Sequence, residues 1–176
     1  MRELFGSLIT LIFLSCAVPA SAHSERHQTD LLAYLANHGF SAIPLTKLRS
    51  SHESVKVEIN GVTGLFILDS GAGASVINNS SLAKFNLSNP AGPQQNATGA
   101  GGTFAINQYQ VQSFAIESIR LPVTEVRSAN LDGVVGALRA ANNVEVDGVI
   151  GQDILTQFQG IIDVGGQRLF VRIPTR

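Results

Sequence analysis

Apolar and polar positions alternate through residues 53–59. Val55, Val57 and Ile59 fall on one side and Ser54, Lys56 and Glu58 on the other. A period of two predicts a strand with one buried face. Asn60-Gly61 follows, a strong signal for a two-residue hairpin, and Val62 to Leu68 is the return strand. The chain turns at 69–73, and Val76-Ile77 resumes a strand. Asn78 or Asn79 is placed to cap a short helix carrying Leu82, Ala83 and Phe85. Residues 88–98 are rich in Asn, Pro and Gln and read as loop. Strand-like stretches follow around 108–116 and 119–126, with Pro122 assigning the second to an edge or a bend. Between 129 and 141, Leu131, Val134 or Val135, Leu138 and Ala141 recur at helical spacing despite two glycines. A second apolar strand runs from Val146 through Ile150 to Gly151 and a helical turn. Asp163 to Gly166 predicts a hairpin turn, and Arg168 to Ile173 a closing strand. Upstream, Thr29 can cap a short helix from Asp30 to His38, with Leu31, Leu32 and Leu35 on its apolar face and Gly39 as its stop.

The pattern is mainly β with a few short helices, and it converges on one stretch. Phe66-Ile67-Leu68 delivers Asp69-Ser70-Gly71-Ala72-Gly73 into a tight turn before Val76-Ile77 leaves. Asp is rarely buried unless it is paired or hydrogen-bonded. An Asp at the end of so apolar a strand is therefore held by a dense set of hydrogen bonds or is there for chemistry. Gly99-Ala100-Gly101-Gly102 reads either as a flexible hairpin tip or as a mobile flap whose backbone amides reach a bound peptide. Asp132 to Gly136 echoes Asp147 to Gly151, but the first lies on a helical pattern and the second on a strand pattern, so they do not form a repeat.

Three signals in order carry a resemblance: Leu68-Asp69-Ser70-Gly71-Ala72, then Gly99-Ala100-Gly101-Gly102, then Val149-Ile150-Gly151 with Asp153-Ile154-Leu155. Over roughly residues 53–173 the chain resembles the retropepsin-like aspartic proteases. The resemblance implies a closed, β-barrel-like acid-protease fold and a peptide-hydrolysing activity without a cofactor. It makes Asp69, Ser70 and Gly71 the catalytic turn, with Ala72 and the 99–102 hairpin contacting an extended peptide. Two carboxylates about 3 Å apart share one proton and so supply both a base and an acid. One Asp-Ser-Gly per chain implies that the second Asp69 comes from a homodimer, with Ser70 bracing the opposing turn. Within the chain, Asp147-Gly148 lacks the hydroxyl residue and Asp163-Val164-Gly165 has Val in its place, so both read as turns. Asp153 reads as an ion-pair or capping residue. Residues 127–146 and the extension 23–50 depart from the family pattern. They keep open a second reading, a fold relative that binds a peptide or envelope protein and cuts nothing.

Composition narrows the setting. A net charge of −1 gives no basis for a nucleic-acid partner or an acidic membrane surface. Residues 1–22 read as a secretory signal: Arg2, an apolar run from Leu8 to Val18, and Ala20-Ser21-Ala22 as the cleavage site. The run is short for a membrane span, and Leu14-Ser15-Cys16-Ala17 fits a lipid-attachment signal poorly. Cys16 is the sole cysteine, so the mature chain would carry none, which suits a periplasmic or secreted protein held by its core alone. The expected organisation is a signal at 1–22, an extension with a short helix at 23–50 and a protease domain at 51–176. His23 and His27 are four apart but read as part of a loose mature terminus, and no metal site is expected. All four histidines lie at or before His52, and Leu68 occupies the first position of a Gly-x-Ser-x-Gly elbow, so a serine triad does not fit. No phosphate-binding loop is present, and Val76 replaces the third glycine of a dinucleotide fingerprint.

Overall fold

The computed structural model describes residues 30–99 and 102–174. In chain order the elements are α1 (30–37), β1 (Ser41–Pro44), β2 (Thr46–Lys47), β3 (Glu53–Ile59), β4 (Val62–Leu68) and β5 (Val76–Asn78). There follow β6 (Gln95–Gly99), β7 (Gly102–Gln110), β8 (Phe114–Ile116), β9 (Ile119–Arg120) and β10 (Glu125–Ala129). The last third holds α2 (Asp132–Asn142), β11 (Gly148–Ile150), α3 (Gln152–Gln157), β12 (Ile161–Asp163) and β13 (Arg168–Val171). The expected signal sequence, Cys16, His23 and His27 lie outside the described residues. Among the described residues no helix is long and apolar enough to cross a membrane.

The β3–β4 hairpin closes at Ile59 opposite Val62, with Asn60 and Gly61 both at positive φ (52° and 79°). That is the geometry for which Asn-Gly is suited. Ten strands form the main sheet in the order β6-β7-β10-β5-β11-β4-β3-β8-β9, with β2 added on β3. A smaller sheet runs β1-β13-β12. The large sheet begins at β6 and ends at β9 without joining them, so the barrel-like closure expected from the sequence is not formed. The two-residue β9 offers too short an edge, and Pro122 beyond it has no N–H to extend the ladder.

β4 is buried on both faces. Phe66 and Leu68 enter the main core with Val55, Val57, Ile59, Phe85 and Phe158. Ile67 turns the other way, into a second cluster with Val135, Leu138 and Val146. This is why 65–68 reads as an unbroken apolar run rather than an alternation. Burial of each such side chain stabilises by roughly 1.5–3 kcal/mol. Val135 and Leu138, three apart, are what fasten α2 to the sheet.

Asn78 does not cap a helix through its side chain. A 3-10 turn at Asn79–Ser81 follows it instead. The Asn78 side chain is buried, donates to Ser80 Oγ (2.6 Å) and Asp132 Oδ1 (3.0 Å), and accepts the Leu131 N–H (2.9 Å). It thereby ties the end of β5 to the start of α2. Residues 41–47, placed in the extension by sequence, supply two strands and carry Ile43 and Leu45, on and just after β1, into the core.

Candidate active site

The turn at 69–75 is fixed by a strand that does not neighbour it in sequence. β4 and β5 flank the turn but do not pair with each other. β11 lies between them, parallel to β4 (Val149 opposite Ile67, Ile150 opposite Leu68) and antiparallel to β5 (Val149 opposite Val76). Strands are spaced by about 4.8 Å, so the turn must bridge roughly 10 Å across the end of β11. Gly151 sits where the bridge crosses. A Cβ there would lie 2.7 Å from the Ala72 carbonyl oxygen and 2.8 Å from that of Ala74, and both are backbone atoms with little room to give.

Asp69 stands at the end of β4. Its N–H donates to the Ile150 carbonyl (2.9 Å), extending the β4–β11 ladder by one residue. Its carbonyl accepts the Ala72 N–H (3.1 Å), which closes the turn. Its Oδ1 accepts the Gly71 N–H at 2.8 Å. Asp69, Ser70 and Gly71 are exposed. Neither Asp69 Oδ2 nor the Ser70 hydroxyl takes a partner among the described residues. Of the two readings of this Asp, a side chain buried in hydrogen bonds is therefore not the one found.

The dense hydrogen bonding lies one layer below. Asp153 Oδ1 accepts the Ser75 N–H (2.8 Å), the Ser75 hydroxyl (2.6 Å) and the Ile154 N–H (2.8 Å). Asp153 Oδ2 accepts from Arg127 at 2.9 Å. Ser75 Oγ in turn receives the Gly151 N–H (2.9 Å). Gln152 donates its N–H to the Ala72 carbonyl (2.8 Å) and its side-chain amide to the Ser70 carbonyl (2.6 Å). Asp153 is thus the ion-pair residue of the two roles the sequence suggested; it lies in the first turn of α3, whose N-cap position is Gly151 with no side-chain cap bond. Ser75, Gln152 and Arg127 were not singled out from sequence. Ser75 and Gln152 carry only the signal of lying next to the Asp-Ser-Gly turn and Gly151, and Arg127, 26 residues from Asp153, carries none.

Asp147 and Asp163 are engaged elsewhere. Asp147 is buried, accepting the Leu65 N–H (2.9 Å), the Ser81 hydroxyl (2.9 Å) and Lys84 Nζ (2.6 Å). It is a buried carboxylate paired with the partly exposed Lys84 rather than the plain turn residue expected. Asp163 accepts the Gly166 N–H at 2.8 Å within the β12–β13 hairpin. Ala72 is half-buried in the turn. Gly99 and Gly102 face each other as the last pair of the β6–β7 hairpin, while Ala100 and Gly101 lie outside the described residues. A groove of about 560 Å³ opens beside Asp69, floored by Ile67 and Val149 and walled by α2.

A family profile described as aspartyl protease matches residues 55–154 of the 176. Among solved structures, the chain is similar to a retropepsin-like aspartic protease from Rickettsia conorii. The two are 14% identical with a TM-score of 0.49, over 76% of this chain and 90% of the other. No curated protein sequence matches.

Proposed function

The chain belongs to the aspartyl protease family, and from that premise we propose that it is a homodimeric endopeptidase of exported location. Asp69 of each subunit supplies one carboxylate of a shared dyad. One carboxylate takes a proton from water as its oxygen attacks the scissile carbonyl carbon. The other gives its proton to the carbonyl oxygen. Collapse of the tetrahedral intermediate breaks the C–N bond as the leaving nitrogen is protonated by the dyad. The peptide lies extended beneath the 99–102 hairpin as an added strand.

One observation carries this reading. The Asp69 carboxylate and the Ser70 hydroxyl are presented outward from a turn braced on three sides, while Asp147, Asp153 and Asp163 are spent on structure. A second Asp69 is the partner such a group lacks. The test compares the mature chain with Asp69→Asn on a diverse peptide library from acid to neutral pH, alongside sedimentation. Dimers are expected, with cleavage about 10²–10⁴-fold lower in the variant. Equal cleavage by both proteins would remove Asp69 from the chemistry. A folded, strictly monomeric wild type that binds peptides without cutting them would make the chain a non-cleaving peptide binder.

A further inference from the structure

We propose that the cavity between the start of β10 and α3 binds a small amine, an apolar body carrying one ammonium group, and that its occupancy is felt at the Asp69 turn. The inference does not depend on the proteolytic reading above.

The cavity lies on the other face of β4 from the groove beside Asp69. Phe66 lines it, whereas the neighbouring Ile67 floors that groove, and successive residues of a strand point to opposite faces. It holds about 260 Å³ and reaches into the main core. Ile59, Phe66, Ile77, Phe114 and Ile150, each no more than 3% exposed, form its depth. Protein interiors contain few spaces larger than a water molecule, and walls of this kind offer water no hydrogen bonds. An engineered apolar cavity of roughly 150 Å³ takes up benzene, so this one has room for a body of about six to eight carbons.

The mouth is polar. Thr124, Glu125 and Gln157 stand exposed around it. Arg127 and Asp153 also line it and neutralise each other at 2.9 Å. Glu125 lies two residues before Arg127 on β10, so it shares the face that meets α3. Its carboxylate accepts the neutral Gln110 side-chain amide at 3.3 Å and has no ion-pair partner among the described residues. The charge left at the mouth is one carboxylate above an apolar well, flanked by the side-chain oxygens of Thr124 and Gln157. That set is complementary to an ammonium, which donates three hydrogen bonds. A carboxylate ligand would meet Glu125 and Asp153 with the wrong sign.

The cavity also touches the brace of the Asp69 turn. Ser75 and Asp153 are both in its lining, and the Ser75 hydroxyl that donates to Asp153 (2.6 Å) receives the Gly151 N–H (2.9 Å). An occupant that moves the Arg127–Asp153 pair therefore moves the residues against which the turn is set.

Hexylamine, hexan-1-ol and hexanoate share one body and differ in the head. Titrated into the isotope-labelled mature chain at neutral pH, hexylamine should shift the methyl resonances of Ile77, Val123 and Ile150. Glu125→Gln, at an exposed position, should weaken hexylamine by about tenfold, the worth of one charge-assisted hydrogen bond, and leave hexan-1-ol unchanged. Glu145→Gln makes the same change of net charge away from the cavity and should alter neither. Absence of shifts at Ile77 and Ile150 would overturn the site, as would hexan-1-ol or hexanoate binding as tightly as hexylamine. Hexylamine binding that Glu125→Gln leaves intact would overturn it too. The Gly71 and Ala72 amides should titrate with the same midpoint as the cavity methyls. Amides that stay still while those methyls move would overturn the link to the turn.

Discussion

Asp153 takes four donors, three of them on a single oxygen, and two of them come from Ser75 at the end of the Asp69 turn. It holds Ser75, Ser75 holds Gly151, and Gly151 lies against the turn. Asp153→Ala leaves the Ser75 N–H without its acceptor, and we predict a loss of about 1–3 kcal/mol, seen as a Tm lower by roughly 2–10 °C. Arg127→Met removes only a partly exposed ion pair and should cost about 0–1 kcal/mol. Equal losses from the two substitutions, measured by thermal unfolding, would mean that the guanidinium rather than the Ser75 bonds carries the brace. The Asp69 turn was legible because an apolar run ending in Asp-Ser-Gly is a local signal. The brace was not, because Ser75 and Asp153 are 78 residues apart and nothing local to either announces the other.

At the scale of elements, periodicity found α2 despite Gly133 and Gly136, since Val135 and Leu138 do pack on one face. It also marked β4 and β11 as fully apolar strands. It could not say that β11 inserts between β4 and β5, because an apolar run fits any interior position of a sheet. The barrel-like closure failed for a related reason: edges are decided by which strands are long enough to pair, not by their hydrophobicity. Leu138→Ala should loosen α2 over the Ile67–Val146 cluster at a cost of about 2–3 kcal/mol, the low end for such truncations because the site borders an open groove that can relax. The check is chemical denaturation, and a change under 1 kcal/mol would mean that the helix is held by its Asn78 and Asn142 bonds alone. Hydrogen exchange should rank the elements as burial does. The Val149 and Ile150 amides on β11, flanked on both sides, should be among the slowest, and those of β6, paired only with β7, should exchange orders of magnitude faster.

The whole molecule is tied end to end. β1 pairs along its length with β13, Ser41 opposite Val171 through Pro44 opposite Arg168, and Ile43 is fully buried. The four residues of β1 are too few to show a period, so the sequence left them in an extension. A chain begun at Thr46 strips β13 of this partner and removes Ile43 and Leu45 from the core. Compared with one begun at His23, it should be largely unfolded or aggregated at 25 °C by circular dichroism and sedimentation. A folded product would show that β1 is an accessory.

The insertion of β11 also fixes the sequence of events during synthesis. A growing chain releases Asp69, the β3–β4 hairpin and the Ser70 hydroxyl well before Gly148 to Asp153 exist. Until those residues arrive, the turn has no Ile150 carbonyl to register against and no Asp153 to hold Ser75. Closing contacts over some 80 residues is slow compared with forming a local hairpin. A ribosome-bound or prematurely ended chain would thus contain the whole Asp-Ser-Gly turn and still lack the frame that orients it, so the carboxylate is made early and set late.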